Sequence, residues 1–240
     1  APSEMCIRDR YIYTGIVVLP GICPDWTFSW SSCCRNASVN MLNGLSTFNY
    51  IESTYDNSLF PCNNSPTFTS QPIPYVCQNQ IVNYNFGVID PDGDSLVYSF
   101  TDPLDGNGVP ITWNLGYSAT NPINGVVLDP TTGTLTFTPT ILGIFNVAVQ
   151  VCDYDFATGF LKSCITRDIQ FVVEPCSNQV PLIDSNGITN FQGTGQLIGE
   201  DSIEVCVGNS FSFDILFYDL DSLDSIQMFT NVQSVLDSSV

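Results

Sequence analysis

Ile89-Asp90-Pro91-Asp92-Gly93-Asp94-Ser95-Leu96 is the stretch on which the reading of this chain turns. Three carboxylates stand at alternate positions. Pro91 presets the φ that a tight turn needs, and Gly93 tolerates positive φ. Val82, Tyr84 and Phe86 alternate ahead of the turn and Leu96-Val97-Tyr98-Ser99-Phe100 follows it, which predicts a strand on each side. Asp219-Leu220-Asp221-Ser222-Leu223-Asp224 repeats the turn with one inserted residue. Ahead of it, Val205-Cys206 with Phe211, Phe213, Ile215 and Phe217 restates Val76-Cys77 with Val82, Tyr84, Phe86 and Val88. Cysteine, alternation and acid cluster recurring together mark tandem units of one kind.

Working outward from the first turn, residues 75–175 read as one complete all-β unit. Asp129-Pro130-Thr131-Thr132-Gly133 is a turn between Val126-Val127-Leu128 and Leu135-Thr136-Phe137. Phe145 to Val151 and Ile165 to Val173 flank a hairpin whose tip includes Ala157-Thr158-Gly159. Short strands at this density, with no helical period, predict antiparallel β-sandwiches in tandem. Residues 176–240 are expected to begin a further, truncated sandwich. Residues 11–74 are expected to close an earlier, truncated one. There Tyr11 to Leu19 is rich in β-branched and aromatic residues and predicts a strand. Trp26, Phe28 and Trp30 alternate with hydroxyl residues and predict a strand with one buried face. Phe48 to Tyr55 supplies a third strand, and the proline-rich 57–74 run reads as a connector. Residues 1–10 differ in texture and hold Arg8 and Arg10, two of the five basic residues, so they are set aside as a leader foreign to the rest.

Charge narrows the partners. The chain of 240 residues has 24 acidic and 5 basic side chains, a net charge of −19, which repels nucleic acid and anionic membrane surfaces and favours cations. Its apolar runs fall far short of a membrane span. Histidine is absent, which removes His-based catalytic dyads and triads and His-ligated zinc. Ten cysteines on short extended segments suit an oxidising, extracellular compartment.

The acidic turn is the candidate for chemistry. Calcium prefers six to eight oxygen ligands in adaptable geometry, and Asp90, Asp92 and Asp94 offer several. Left bare, two charges ~4 Å apart repel by roughly 4 kcal/mol at an effective dielectric of 20. The spacing is not that of an EF-hand, because glycine takes the fourth position and Thr101 the twelfth. Asp153 and Asp155, near the end of a late strand, are the expected additional ligands. Asp219, Asp221 and Asp224 form a weaker second candidate site. The competing reading is a plain Asp-Pro-Asp-Gly turn whose carboxylates face water.

With turn and strands in view, a family likeness emerges. Ile89 to Tyr98 resembles the D-x-D-G-D-x-L-x-Y signature of bacterial cadherin-like and immunoglobulin-like repeats. Leu128-Asp129-Pro130-Thr131-Thr132-Gly133-Thr134-Leu135 through Thr138-Pro139-Thr140 resembles the D-P-x-T-G-x-L…T-P-T segment of the same repeats. With Arg167-Asp168-Ile169-Gln170, Gly116 to Thr120 and Cys33-Cys34-Arg35-Asn36, the chain is similar to large gliding-motility-associated surface proteins. The resemblance implies tandem immunoglobulin/cadherin-like sandwiches, export by the type IX route and display at the outer cell surface. The second turn departs from the signature, with Ser222 in place of glycine and Leu223 inserted.

Three functions compete. The first is a non-catalytic adhesin or stalk whose calcium-bound turns stiffen neighbouring repeats and whose protein or glycan ligand is not specified. The second is accessory modules of a large secreted protease or glycoside hydrolase. The third is glycan binding through Trp113 or Tyr117. No catalytic residue is nominated. Cys152 and Cys164 bracket a hairpin and are expected to bond. Cys62–Cys77 and Cys176–Cys206 would each join a connector to the opening strand of a unit, and Cys23 would pair with Cys33 or Cys34.

Overall fold

The computed structural model describes residues 12–70, 75–177, 181–199, 203–206, 208, 210–221 and 226. Nearly all regular structure is β. The strands ahead of the acidic turn are β1 (Trp26–Ser32), β2 (Asn49–Tyr55), β3 (Thr67–Phe68), β4 (Tyr75–Cys77), β5 (Val82–Asn85) and β6 (Val88–Ile89). After it come β7 (Ser95–Thr101), β8 (Leu104–Asp105), β9 (Val109–Pro110), β10 (Val127–Leu128), β11 (Thr134–Phe137), β12 (Gly143–Tyr154) and β13 (Leu161–Glu174). The last are β14 (Leu182–Gly193), β15 (Gln196–Leu197), β16 (Ile203–Glu204) and β17 (Phe211–Tyr218).

The main sheet runs β7-β12-β13-β2-β8-β9, with β1 added on β2 and β4 added parallel on β13. A three-stranded sheet, β10-β11-β5, covers it. Tyr84, Leu135 and Phe137 from the small sheet meet Val147, Val149, Val151, Ile169 and Phe171 from the large one in a single buried cluster. Phe171 lies edge-on to both Tyr84 and Phe137, with ring centroids 5.8 and 5.1 Å away. Such T-shaped contacts match ring edge to ring face and add to burial. This is an all-β sandwich, as the turn density predicts.

The predicted hairpin is the spine of the fold. β12 and β13 pair from Gly143↔Val173 to Tyr154↔Leu161, with a bulge at Asp153/Tyr154. β12 is buried on both faces. Phe145, Val147, Val149 and Val151 point into the core, while Asn146, without exposure, faces a segment the periodicity leaves as loop, residues 35–47. That segment is stitched down by Asn40, whose amide donates to the carbonyls of Pro122 (2.9 Å) and Asn146 (2.8 Å) and whose oxygen accepts from the Asn146 N–H (3.0 Å). Paired in this way, a buried amide carries no desolvation penalty of an orphan group.

The strand after the acidic turn and the Asp129 turn touch one another. The Tyr98 N–H donates to the Pro130 carbonyl at 2.9 Å, and the buried ring lies where a Cβ on Gly133 would collide with it. Gly133 also has φ +68°, so the turn needs glycine for both conformation and space. Burial pushes the Tyr98 hydroxyl up to about 12. Asp129 opens this turn by accepting from the amides of Thr131 (2.8 Å) and Thr132 (2.9 Å). The Thr132 amide, then that of Thr131, hold its carboxyl below the usual range. A lowered folded-state value means stability present above the unfolded value and lost as pH falls through the folded one. Acidification from pH 6 to pH 3 is therefore expected to lower the melting temperature less in Asp129→Asn than in the parent. Equal pH slopes in thermal denaturation would show that this carboxylate does not contribute.

Four expectations change. Residues 12–19 lie outside any strand and are largely exposed, Ile16 at 98% and Val18 at 87%; β-propensity without a neighbouring strand to pair with does not make a strand. β1 forms, yet both its faces are open, with Phe28 39% and Trp30 46% exposed, since no second sheet among the described residues covers it. The expected unit boundary between residues 74 and 75 is crossed by the main sheet, because β2 pairs with β13 through Ser163↔Tyr55, Cys164↔Thr54 and Ile165↔Ser53. β13 is 14 residues long, and the edge it turns away from β12 is free to accept β2 at one end and β4 at the other. The cysteine pairing differs as well. Cys152–Cys164 is bonded, with Cα atoms 4.1 Å apart. Cys77 bonds Cys176 (Cα–Cα 5.3 Å), and Cys33 bonds Cys34. Cys23, Cys62 and Cys206 are free thiols. Cys77 is drawn to Cys176 because β4 runs alongside the end of β13, pairing Cys77 with Glu174.

Candidate cation site

The acidic turn joins β6 to β7. The Gly93 N–H donates to the Asp90 carbonyl at 3.2 Å, and Gly93 has φ +76°. One carboxylate oxygen, Oδ1 of Asp90, accepts from the amides of Asp92 (2.9 Å) and Asp94 (3.1 Å). This self-capping winds the chain so that all three carboxylates turn to one side. One oxygen from each of Asp90, Asp92 and Asp94 lies within 4.8 Å of the others. The turn is therefore a cluster able to hold a metal ion.

Each carboxylate has a different environment. Asp92 is exposed and takes the backbone amide (2.6 Å) and side-chain amide (2.9 Å) of Asn64. The Asn64 backbone amide, then its side chain, hold the Asp92 carboxyl below the usual range. Asp94 has both oxygens on the Lys162 ammonium, at 2.8 and 2.7 Å. Asp90 is half-buried, and its Oδ2 is buried with no hydrogen-bond partner among the described residues. Burial raises its carboxyl, the Asp94 and Asp92 amides oppose this, and the charges of Asp94 and Asp153 add to it. An anionic oxygen shut from water without a donor is costly, and a bound cation would remove that cost.

Of the expected additional ligands, Asp153 is fully buried, but its carboxylate is already engaged. It accepts from the Asn63 amide nitrogen at 2.7 Å and from the Ser163 hydroxyl. It acts on the cluster through its charge on Asp90. Asp155 accepts from the Thr158 N–H (2.8 Å) and hydroxyl (2.6 Å) at the hairpin tip, and reaches the cluster only through Lys162, at 3.4 Å. The Thr158 hydroxyl and amide hold its carboxyl below the usual range. In the second turn the Asp221 N–H donates to Asp219 Oδ1 at 2.8 Å, the same local bond that Asp92 makes to Asp90. Asp224 lies outside the described residues.

Residues that the pattern alone did not nominate complete the corner. The loop at residues 56–64 folds over the turn, bringing Asn63 and Asn64 to Asp153 and Asp92. Asn63 Oδ1 is also buried without a hydrogen-bond partner among the described residues. An open cleft of about 270 Å³ lies between this loop, Asp92 and Lys162. The missed signal was the consecutive pair Asn63-Asn64 in the run read as a connector, since side-chain amides are oxygen ligands for calcium. Trp113 is half-buried with its indole N–H on Asp102 at 2.7 Å, and Tyr117 packs edge-on to Phe145 at 6.1 Å. Comparison of the chain with protein-family models, curated proteins and solved structures gives no match.

Proposed function

We propose that this chain is a non-catalytic module of an exported bacterial surface protein, an adhesin or structural stalk of the gliding-motility-associated kind, in which calcium locks the acidic turn of a β-sandwich. The observation that carries the reading is the convergence of Asp90, Asp92 and Asp94 beside a buried carboxylate oxygen that lacks a donor. Asp90 Oδ2, Asp92 and Asp94 would supply the carboxylate ligands and Asn63 Oδ1 an amide one, a hard-oxygen set suited to calcium. The disulfides Cys77–Cys176 and Cys152–Cys164 support an oxidising compartment. The likeness of Ile89 to Tyr98 to surface-repeat signatures supports display outside the cell.

A ligand at 100 times its dissociation constant stabilises the folded state by about 2.7 kcal/mol. For a chain of this size that corresponds to a melting-temperature rise on the order of 5–10 °C. The expected result is such a rise in millimolar calcium over EDTA, lost in Asp90→Asn and Asp92→Ala. An unchanged melting temperature at millimolar calcium, or an unchanged response in both variants, would remove the proposal.

A further inference from the structure

Lys162 is the only lysine in the sequence, and the fold sets it on the acidic corner. It projects from the start of β13, on the far side of β12 from β7. Its ammonium bonds both oxygens of Asp94, lies 3.4 Å from Asp155 Oδ2 and stands 5.1 Å from the centre of the Phe60 ring. The Lys162 and Asp94 side chains are only 11% and 4% exposed. The pair is thus shielded, and the chain's one lysine ammonium is spent on a single carboxylate of the cluster. Two oxygens outside that pair, on Asp90 and on Asn63 of the covering loop, remain buried without donors among the described residues. The corner is left with more negative charge than one lysine neutralises and with acceptors that the lysine does not reach.

We propose that Lys162 is a tethered cation that occupies Asp94 until a divalent ion displaces it, so that this side chain sets the ion affinity of the corner. The inference rests on the cation-site reading above. In the ion-free state the ammonium ties the turn ahead of β7 to the β12–β13 hairpin. When a divalent ion enters, Asp94 transfers its oxygens to it and the lysine swings into the adjoining cleft. A unit positive charge held ~5 Å from a divalent ion repels it even in a water-like dielectric, by enough to weaken binding about tenfold. Asp155 loses the ammonium in the same step, while Phe60, which lines that cleft, stays beside it.

Two measurements on the full chain test this. Calorimetric titration with calcium alone is expected to show about tenfold tighter binding in Lys162→Gln than in the parent. Because the sequence has one lysine, acetylation by an amine-reactive ester, followed by mass spectrometry of the Lys162 peptide, reads this ammonium directly. Lys162 is expected to be protected in EDTA and several-fold more reactive in calcium. Calcium binding with equal affinity in parent and variant, or with unchanged Lys162 reactivity, overturns the displacement and leaves the cation site standing. Absence of calcium binding in both proteins overturns the cation site and the displacement together.

Discussion

Replacing Arg35 with methionine is expected to lower stability by about 3–5 kcal/mol, the range for stranding one partner of a buried ion pair. The Arg35 side chain is fully enclosed and its partner Asp168 is 6% exposed. Nη2 donates to Asp168 Oδ2 at 2.5 Å and to the Leu104 carbonyl at 2.9 Å, while Nε donates to the Phe48 carbonyl at 2.8 Å. One guanidinium therefore ties the 35–47 segment, the residue just ahead of β2, β8 and the middle of β13. Its loss strands a buried carboxylate and removes a charged donor from two carbonyls, each a separate cost. In a chain of this size the melting temperature should fall on the order of 10 °C. The pH dependence gives a sharper check. Burial already raises the Asp168 carboxyl, and the Arg35 hydrogen bond and charge pull it back. Without Arg35 the folded-state value rises further above the unfolded one. A raised value favours the fold at low pH and loses that contribution as pH rises. The deficit of Arg35→Met should therefore shrink as pH is lowered from 7 towards 4. The double variant Arg35→Met/Asp168→Leu should recover most of the loss at neutral pH, because a buried pair replaced by apolar groups is often neutral. Persistence of the full deficit in the double variant would show that the carbonyl contacts, and not the ion pair, carry the effect.

That contact also marks the limit of what was legible in advance. Strands around Tyr84, the Asp129 turn and the β12–β13 hairpin follow from short-range pattern, because alternation and turn chemistry are properties of neighbours in sequence. So does the convergence of Asp90, Asp92 and Asp94, which their own turn bonds produce. Arg35 sits in the polar run Arg35-Asn36-Ala37-Ser38, which carries no period, and its meaning comes from a residue 133 positions away. Lys162 meets Asp94 across 68 positions, and only its being the sole lysine distinguished it in the sequence. The same holds for β2. Its pattern predicts a strand, but its partner is chosen by the free edge of β13 and not by anything local. Local chemistry thus built the candidate site's carboxylate half, while topology supplied its lysine and its asparagines.

Disulfide pairing is the case where topology matters most, and it carries the second large effect. Cys77–Cys176 closes a separation of 99 residues, against 12 for Cys152–Cys164. In the chain-entropy account a loop of about 100 residues gives roughly 4.7 kcal/mol and one of about 15 residues roughly 3. The Cys77→Ser/Cys176→Ser double variant should therefore lose more stability than Cys152→Ser/Cys164→Ser, by about 1–2 kcal/mol in denaturant titration. Peptide mapping without reductant should first recover a Cys77–Cys176 crosslinked peptide, with Cys62 and Cys206 open to alkylation. A Cys62–Cys77 or Cys176–Cys206 crosslink would instead detach β4 from the end of β13. The mechanism is separable from packing. The Cys152 and Cys164 side chains lie on central strands already paired in one register from Gly143↔Val173 to Asp153↔Ser163, so that bond adds little order to the folded state. β4 pairs with β13 through only Val172↔Tyr75, Val173↔Val76 and Glu174↔Cys77. Without the disulfide β4 is held by that short pairing, by the hydrogen bonds of Gln78 and Asn79 just after it, and by burial of Val76 in the core. Amide hydrogen exchange is expected to rise first at residues 75–77 in the Cys77→Ser/Cys176→Ser variant while β12 stays protected. Uniform loss of protection across both strands would mean that the bond acts on the unfolded chain alone.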